Sequence, residues 1–324
     1  MYKYCIIGFG ISGQLLLLEL LKANVNSSDI IVCDETFLGG ELVLKYGSVL
    51  SNTPWHKTKT ALEKYTLTTN LPQFSLDECT PVRDIAKACL RAALDAGKDV
   101  EKITTRVITL QYTTEWNIQH SFGSLQATTV FITIGGNEKG LDISIPTIPL
   151  SIALDREQLK HIVSPQDIIT VFGTSHSGTI VLDNLEQLQV QSYGIFKTSE
   201  PFQFEPEAYA GLKEGSATIA KSIMKNEYKQ ITIIPWNNPL LIHKILTKAT
   251  KAVVATGFTS KSIFGKEFQS YDPSTGKISA GTNIYGFGLA YPGVTVIDSI
   301  TYQDNSVLSY QSQIQKCLPD ILKA

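Results

Sequence analysis

A chain of 324 residues with 43% hydrophobic and 18% charged content is long enough for two domains with real cores and has an ordinary globular composition. A formal net charge of -2 gives no electrostatic case for nucleic acid or an anionic membrane as the main partner. The five cysteines, Cys5, Cys33, Cys79, Cys89 and Cys317, form no C-x-x-C pair, which argues against both a disulfide framework and a zinc site.

From the N-terminus, "KYCIIGFGISGQLLLLELL" reads as strand, tight turn and helix. The leucine run Leu15–Leu21 is too short to span a membrane and is interrupted by Glu19, so a buried helix is expected. No export or anchoring segment is read, and the expected location is the cytoplasm. Asp29–Glu35 follows as a second apolar strand ending in acids, the first half of a doubly wound sheet. The pattern then breaks into loops and short helices, except for Pro81–Lys98, whose apolar residues recur at spacings of three and four. Val107–Gly136 reads as a β-meander closing on an apolar run. Near Leu150 a second unit begins, with "DIITVFGTSHSGTIVLDNLEQL" again strand, turn and helix. Strands are expected at Gln191–Lys197, Gln230–Trp236 and Lys251–Phe258, and an amphipathic segment follows "NIYGFGLAYPG".

Gly8, Gly10 and Gly13 fit G-x-G-x-x-G between a strand and a helix, with Ile11 and Ser12 inside the turn. The first glycine allows the tight turn, the second lets a diphosphate approach the backbone, and the third lets helix and strand pack closely. The helix N-terminal amides then face the anion. Asp34, about 20 residues on, is placed to hold a ribose hydroxyl, with Glu35 the adjacent candidate. In the second turn, Gly173-Thr174-Ser175-His176-Ser177-Gly178, a serine stands at the middle position and adds a Cβ and a hydroxyl where phosphates approach. The strand after it ends in Lys197-Thr198-Ser199 with no acid at its tip. Lys197 could hold a 2′-phosphate that a carboxylate would repel, or serve as an ordinary exposed lysine.

"GFGISG", "GTSHSG" and the late "VVATGF", in that order, resemble the layout of the two-dinucleotide-binding flavoproteins. That superfamily includes thioredoxin reductase-like enzymes, flavin-containing monooxygenases and amine N-hydroxylating monooxygenases. The resemblance covers most of the chain and implies an α/β fold of two nested Rossmann-like domains with a β-meander. It implies an FAD domain over 1–150 and 251–324, interrupted by an NADPH domain over 151–250. It also implies that Gly39 and Gly40 approach the flavin phosphate or ribityl chain. Thr256 and Gly257 would lie at the return crossing, and Gly288 and Leu289 beside the flavin. Leu289 stands where reductases usually carry an aspartate.

Absence of C-x-x-C argues against the disulfide reductase branch, and four features are similar to the monooxygenase branch: the Phe37–Lys57 stretch of paired glycines followed by a tyrosine and an Asn-Thr element, the "VVATGF" signature, the missing acid at Leu289, and the G-x-S-x-S-G turn. On that resemblance the chain is an oxidoreductase reduced by NADPH that forms a flavin C4a-hydroperoxide and oxygenates an amine or sulfide with dioxygen. Asn52 in "SNTPW" matches the catalytic asparagine and would donate to the peroxide, its alternative being a turn residue before Thr53-Pro54. Trp55 and His56 are candidates to line the pocket or to pack beside the turn. Two features depart from the pattern: monooxygenases of this class are longer, and "TIGG" (Thr133–Gly136) replaces Ala-Thr-Gly. An NADPH-dependent electron-transfer reductase and an FAD-binding regulatory protein stay open, as does the oligomeric state, a homodimer being one option.

Overall fold

The computed structural model describes residues 1–65, 71–205, 211–261, 264–279 and 281–323. The chain divides into two compact units, one of Met1–Gly47, Pro54–Asn137 and Thr259–Ala324, the other of Ser48–Thr53 and Glu138–Phe258.

The first unit opens with strand β1 (Tyr2–Ile7), helix α1 (Ile11–Lys22) and strand β2 (Ile30–Asp34). Helix α2 (Val82–Ala96) and strand β3 (Glu101–Thr104) follow, then β4 (Val107–Tyr112), β5 (Trp116–His120) and β6 (Gly123–Ile132). The sheet runs β3-β2-β1-β6-β5-β4, and a seventh strand, Ile284–Gly286, pairs with β6 from the late part of the chain. β3 with β2, β2 with β1, β1 with β6, and the seventh strand with β6 all pair in parallel. β4 with β5 and β5 with β6 are antiparallel. The long β6 therefore does two jobs. Its first half closes the meander and its second half joins the parallel core.

Tyr4–Ile7 of β1 and Ile30–Cys33 of β2 are continuous buried runs because both sheet faces are covered there, as parallel sheets require. Leu15, Leu16, Leu17, Leu18 and Leu20 are all buried, so the leucine run is a core helix. Glu19, inside that run, is buried too; its carboxylate accepts hydrogen bonds from Tyr65 and from Gln315 of the tail helix Val307–Ile321. Between the seventh strand and that helix, Gly293–Ile297 and Ile300–Asp304 form a hairpin that the sequence reading left inside an undivided tail. Its turn, Asp298-Ser299, takes two positive φ values, the geometry that tight hairpins favour.

The second unit is a five-stranded, wholly parallel sheet. Its elements are β7 (Thr147–Ile148), β8 (Ile168–Phe172), α3 (His176–Gln187), β9 (Gln191–Phe196), α4 (Glu214–Met224), β10 (Ile231–Pro235), α5 (Pro239–Leu246) and β11 (Lys251–Val254). The order is β7-β11-β8-β9-β10. This unit reaches beyond 151–250 on both sides. β11, which the sequence reading gave to the first domain, pairs with β8 from Ile169↔Lys251 to Phe172↔Val254. In both units the strand that precedes a glycine turn is central, flanked by the next strand on one side and a late strand on the other. That is the doubly wound pattern.

Asp167 pins β11 to the start of β8. Its carboxylate accepts from Lys251 Nζ at 2.8 Å, Thr250 Oγ1 at 2.6 Å and the Ser164 N–H at 2.8 Å. Burial works against the charge, but these donors outweigh it and bring the carboxyl down to about 2. A carboxyl lowered on folding stabilises above its unfolded value near 4, and that stability fades as pH falls toward 2. Asp167→Asn is therefore expected to lower the melting temperature at pH 7 and to flatten the stability loss between about pH 4 and pH 2. A melting series that leaves the acid slope of the variant equal to wild type would contradict this.

Among the described residues no helix is long and apolar enough to cross a membrane, and no cluster of His, Cys, Asp and Glu could hold a metal ion.

Candidate functional site

The two glycine turns have nearly the same internal geometry. Gly8 and Gly173 have φ of 95° and 99°. The Gly8 N–H donates to Cys33 O at 2.8 Å, and the Gly173 N–H donates to Ile195 O at 2.8 Å. A Cβ on Gly13 would lie 2.1 Å from Gly8 O, and one on Gly178 would lie 2.0 Å from Gly173 O. Each third glycine is there because helix and strand touch. Helices α1 and α3 then start with the Gln14 N–H donating to Gly10 O (3.0 Å) and the Thr179 N–H donating to Ser175 O (2.9 Å).

The middle positions explain the serine. Gly10 has φ -68° and ψ -174°, and Ser175 has φ -81° and ψ -164°, both conformations that any residue adopts. A Cβ at Gly10 would meet nothing nearer than Gly40 Cα at 4.0 Å, so this side of the turn is open to a ligand. Ser175 is exposed and makes no side-chain cap hydrogen bond at the α3 N-terminus.

The hydrogen-bond equivalence also aligns the strand tips. Two residues beyond Cys33 stands Glu35, and two beyond Ile195 stands Lys197. Both are exposed. The tips thus carry opposite charges at equivalent places: an acid suits a ribose hydroxyl and a base suits a 2′-phosphate. Asp34 has other work. Its Oδ2 accepts from the Phe9 N–H at 2.6 Å, and its Oδ1 accepts from the N–H groups of Thr36 (2.9 Å) and Phe37 (2.8 Å). That carboxylate shapes the turn and its neighbouring loop, while Glu35 stays available.

Further segments of the first unit converge on the start of α1. Gly39 and Gly40 have φ of 93° and 72°, and a Cβ on Gly40 would lie 2.9 Å from Gly10 Cα. Gly288, with φ 83°, packs so closely that its Cβ would meet Ser12 Oγ at 1.9 Å. Leu289 turns into the apolar cluster around α1 and against Gly136, so it offers no polar group there. Glu41 begins the short helix Glu41–Leu44 and accepts from Lys45 (2.8 Å) and Lys261 (3.0 Å). Burial opposes its charge, but the two ammoniums outweigh it and hold the carboxyl below the usual range.

"TIGG" proves equivalent to the later Ala-Thr-Gly. A Cβ on Gly8 would meet Thr133 O at 2.7 Å, and one on Gly173 would meet Ala255 O at 2.5 Å. The N–H groups of Thr133 and Ala255 donate to Ile7 O and Phe172 O, the residues before each turn, at 2.8 and 2.7 Å. Gly135 and Gly257 follow with φ of 75° and 96°. Thr133 and Ala255 are therefore the same structural position in two copies. Thr133 adds a hydroxyl that donates to Gly8 O at 2.7 Å. Thr256 is exposed, and a Cβ on Gly257 would meet nothing within 4 Å.

The remaining candidates are placed as follows. Thr174 is buried and donates to Pro201 O at 2.5 Å, a structural tie. His176 is a half-buried residue of the first turn of α3, and its Nδ1 lies 2.7 Å from Ser216 Oγ of α4. Burial, aided by the Lys213 charge, keeps its imidazole below the usual range and so neutral at pH 7. Ser177 follows it on the same turn and is the counterpart of Ser12. Asn52 lies on a short strand, Leu50–Pro54, not in a turn, and its segment belongs to the second unit. Thr53 Oγ1 donates to its Oδ1 at 3.4 Å, leaving its amide N–H groups free among the described residues. Trp55 is fully buried, edge-on to Phe74, and packs in the first unit's core instead of lining a pocket. His56 is half-buried, with Nδ1 3.0 Å from Leu76 O.

No family model and no curated protein matches the chain. Solved structures match it over its whole length. Bacillithiol disulfide reductase from Staphylococcus aureus aligns with a TM-score of 0.65 and 12% identity, covering 99% of this chain and 98% of that one. Thioredoxin reductase from Lactococcus lactis gives 0.63 and 12% over 100% and 98%. A flavin monooxygenase from Stenotrophomonas maltophilia gives 0.65 and 12% over 99% and 98%. This one flavin monooxygenase is therefore about as long as the chain, although the typical member of the class is expected to be longer. At such identities the likeness is one of fold: the chain has the α/β fold that these reductases and the flavin monooxygenase share.

Proposed function

We propose that the protein is an FAD-dependent oxidoreductase reduced by NADPH, with FAD on the Gly8–Gly13 turn and NADPH on the Gly173–Gly178 turn. The observation that carries this is the pair of matched turns with opposite charges at their tips, Glu35 and Lys197. The residues fit such ligands, because the middle position of the first turn is open and the amides of α1 and α3 are aimed at it and its counterpart. Bound FAD would supply the ring that takes a hydride and hands its electrons on. The chain's own part is to hold the diphosphates on helix N-termini, to keep Glu35 on the ribose, and to shape the first turn through Asp34 and Gly288. Lys197→Ala is expected to weaken NADPH about tenfold and leave NADH unchanged, read by titration of both nucleotides. Equal effects on the two would remove Lys197 from the site.

For the electron acceptor we propose dioxygen, with a soft amine or sulfide as the substrate oxygenated. The cysteines support this over disulfide chemistry: Cys5, Cys33, Cys89 and Cys317 are buried free thiols, so no dithiol is presented for exchange. The free amide of Asn52 supports it as a hydrogen-bond donor. Free thiols also fit a reducing compartment, so a cytoplasmic setting belongs to the proposal. The second reading, a reductase passing electrons to another acceptor, is favoured by the disulfide reductases among the fold matches. Anaerobic reduction of the FAD-reconstituted protein by NADPH, followed by oxygen and product mass analysis over amines and sulfides, separates them. An oxygenated product supports the monooxygenase, and rapid reduction of an added acceptor without one supports the reductase. A protein that cannot be reconstituted with FAD ends both.

A further inference from the structure

We propose that Trp236 is the surface on which the adenine ring of the second unit's nucleotide stacks. This rests on reading Gly173–Gly178 as a nucleotide turn and adds the place of the base. Of the three tryptophans, Trp55 and Trp116 are 0% and 1% exposed, whereas Trp236 is 43% exposed. Leaving the largest apolar side chain in water forgoes stabilisation that burial would give, which makes its position informative.

Trp236 is the first residue beyond β10, and its N–H donates to Phe196 O at 2.7 Å, so it extends the ladder past Phe196↔Pro235. Its ring meets Phe172 edge-on, with centroids 6.0 Å apart and planes at 67°. Phe172 immediately precedes Gly173, and Phe196 immediately precedes Lys197. Three neighbouring strand ends therefore carry, in order, the phosphate turn (β8), the lysine tip (β9) and the indole (β10). Adjacent strands lie about 4.8 Å apart, so the end of β10 is roughly 10 Å along the edge from the turn, and the indole reaches back toward Phe172. A dinucleotide with its diphosphate on α3 and its ribose at the β9 tip brings its base to the next strand end, β10. Contact with Phe172 braces one edge of the indole and leaves the rest to a ligand.

The surroundings suit a base and not a phosphate. No charged residue occurs from Ile231 to Ile242. Leu240 and Leu241, 84% and 36% exposed, widen the apolar shelf at the start of α5, which Asn238 fixes by accepting from the Leu241 N–H at 3.1 Å. An aromatic face under a base is commonly worth about a factor of ten or more in affinity.

The test uses the full-length protein with FAD added and titrates adenosine 2′,5′-bisphosphate and, separately, nicotinamide mononucleotide by calorimetry and tryptophan emission. Wild type is expected to bind the bisphosphate with quenching of the red, solvent-exposed emission. Trp236→Leu is expected to weaken the bisphosphate roughly tenfold, Trp236→Phe to restore most of the affinity, and neither to move nicotinamide mononucleotide. Unchanged bisphosphate affinity in a folded Trp236→Leu protein overturns the stacking role alone, because NADPH reduction then stays intact. Equal weakening of both ligands also overturns it, as the mark of a structural residue. Failure of wild type to bind any adenine nucleotide, with NADPH unable to reduce the flavin, ends the reading of the turn and this inference with it.

Discussion

Gly178→Ala is expected to give a yellow protein that dithionite reduces and NADPH does not, whereas Gly13→Ala is expected to give a colourless one. The added methyl would lie 2.0 Å from Gly173 O in the first case and 2.1 Å from Gly8 O in the second. Both obstacles are backbone atoms of the turn, so no side chain can swing away. The helix start must lift off its strand, and the amides that would hold a diphosphate move with it. A loss on the order of 100-fold in nucleotide affinity follows for each turn, read by anaerobic absorbance titration and by bound flavin after gel filtration. Gly10→Ala is the informative control. Gly10 has an ordinary φ of -68° and its methyl would meet only Gly40 Cα at 4.0 Å, so the fold accepts it and any effect comes from the ligand's approach. Normal NADPH reduction of Gly178→Ala would mean that the second turn does not hold the hydride donor.

This asymmetry between positions also says what was legible in the sequence. The first and third glycines answer to contacts inside the turn, and they recur at the same spacing in both copies. The middle position meets no such contact, so the serine whose Cβ crowds the turn in the sequence reading is unstrained in the fold. The strand-turn-helix pattern and the opposite charges at Glu35 and Lys197 were readable because apolar runs mark strand ends. The equivalence of Thr133 with Ala255 was not, because it rests on a carbonyl under each turn and not on the side chain. Asp34 was read as a ligand residue since its backbone partners Phe9, Thr36 and Phe37 leave no trace in residue type. The bound at 250/251 cuts β11 from its sheet because that strand is apolar enough for either, and only its register with β8 decides. Trp236 appeared merely as the end of a strand, since exposure is a property of the fold.

Glu19→Ala is expected to destabilise the first unit on the order of 3 kcal/mol, with Glu19→Gln costing clearly less. A carboxylate in the middle of a leucine helix survives only if its lone pairs are used, and here they are. Tyr65 and Gln315 both donate to its Oε1, and Gln311 Nε2 donates to Tyr65 Oη at 2.5 Å, so α1, the segment after Leu62 and the tail helix share one network. Burial first, and then the Glu19 carboxylate, push the Tyr65 phenol well above its ordinary range, so it remains a donor throughout workable pH. Removing Glu19 strands the tyrosine hydroxyl and an amide together, each orphaned donor costing about 1–3 kcal/mol. Glutamine keeps an acceptor oxygen and loses only the charge. Tyr65→Phe should cost less than Glu19→Ala, because Gln311 keeps a second acceptor, Ala61 O, at 3.4 Å. The double variant should cost less than the sum, since the two changes break the same bond. Thermal melts followed by release of flavin fluorescence measure all four proteins. A Glu19→Ala protein within about 0.5 kcal/mol of wild type would mean that this network carries no net stability, and that the glutamate is only tolerated in its helix.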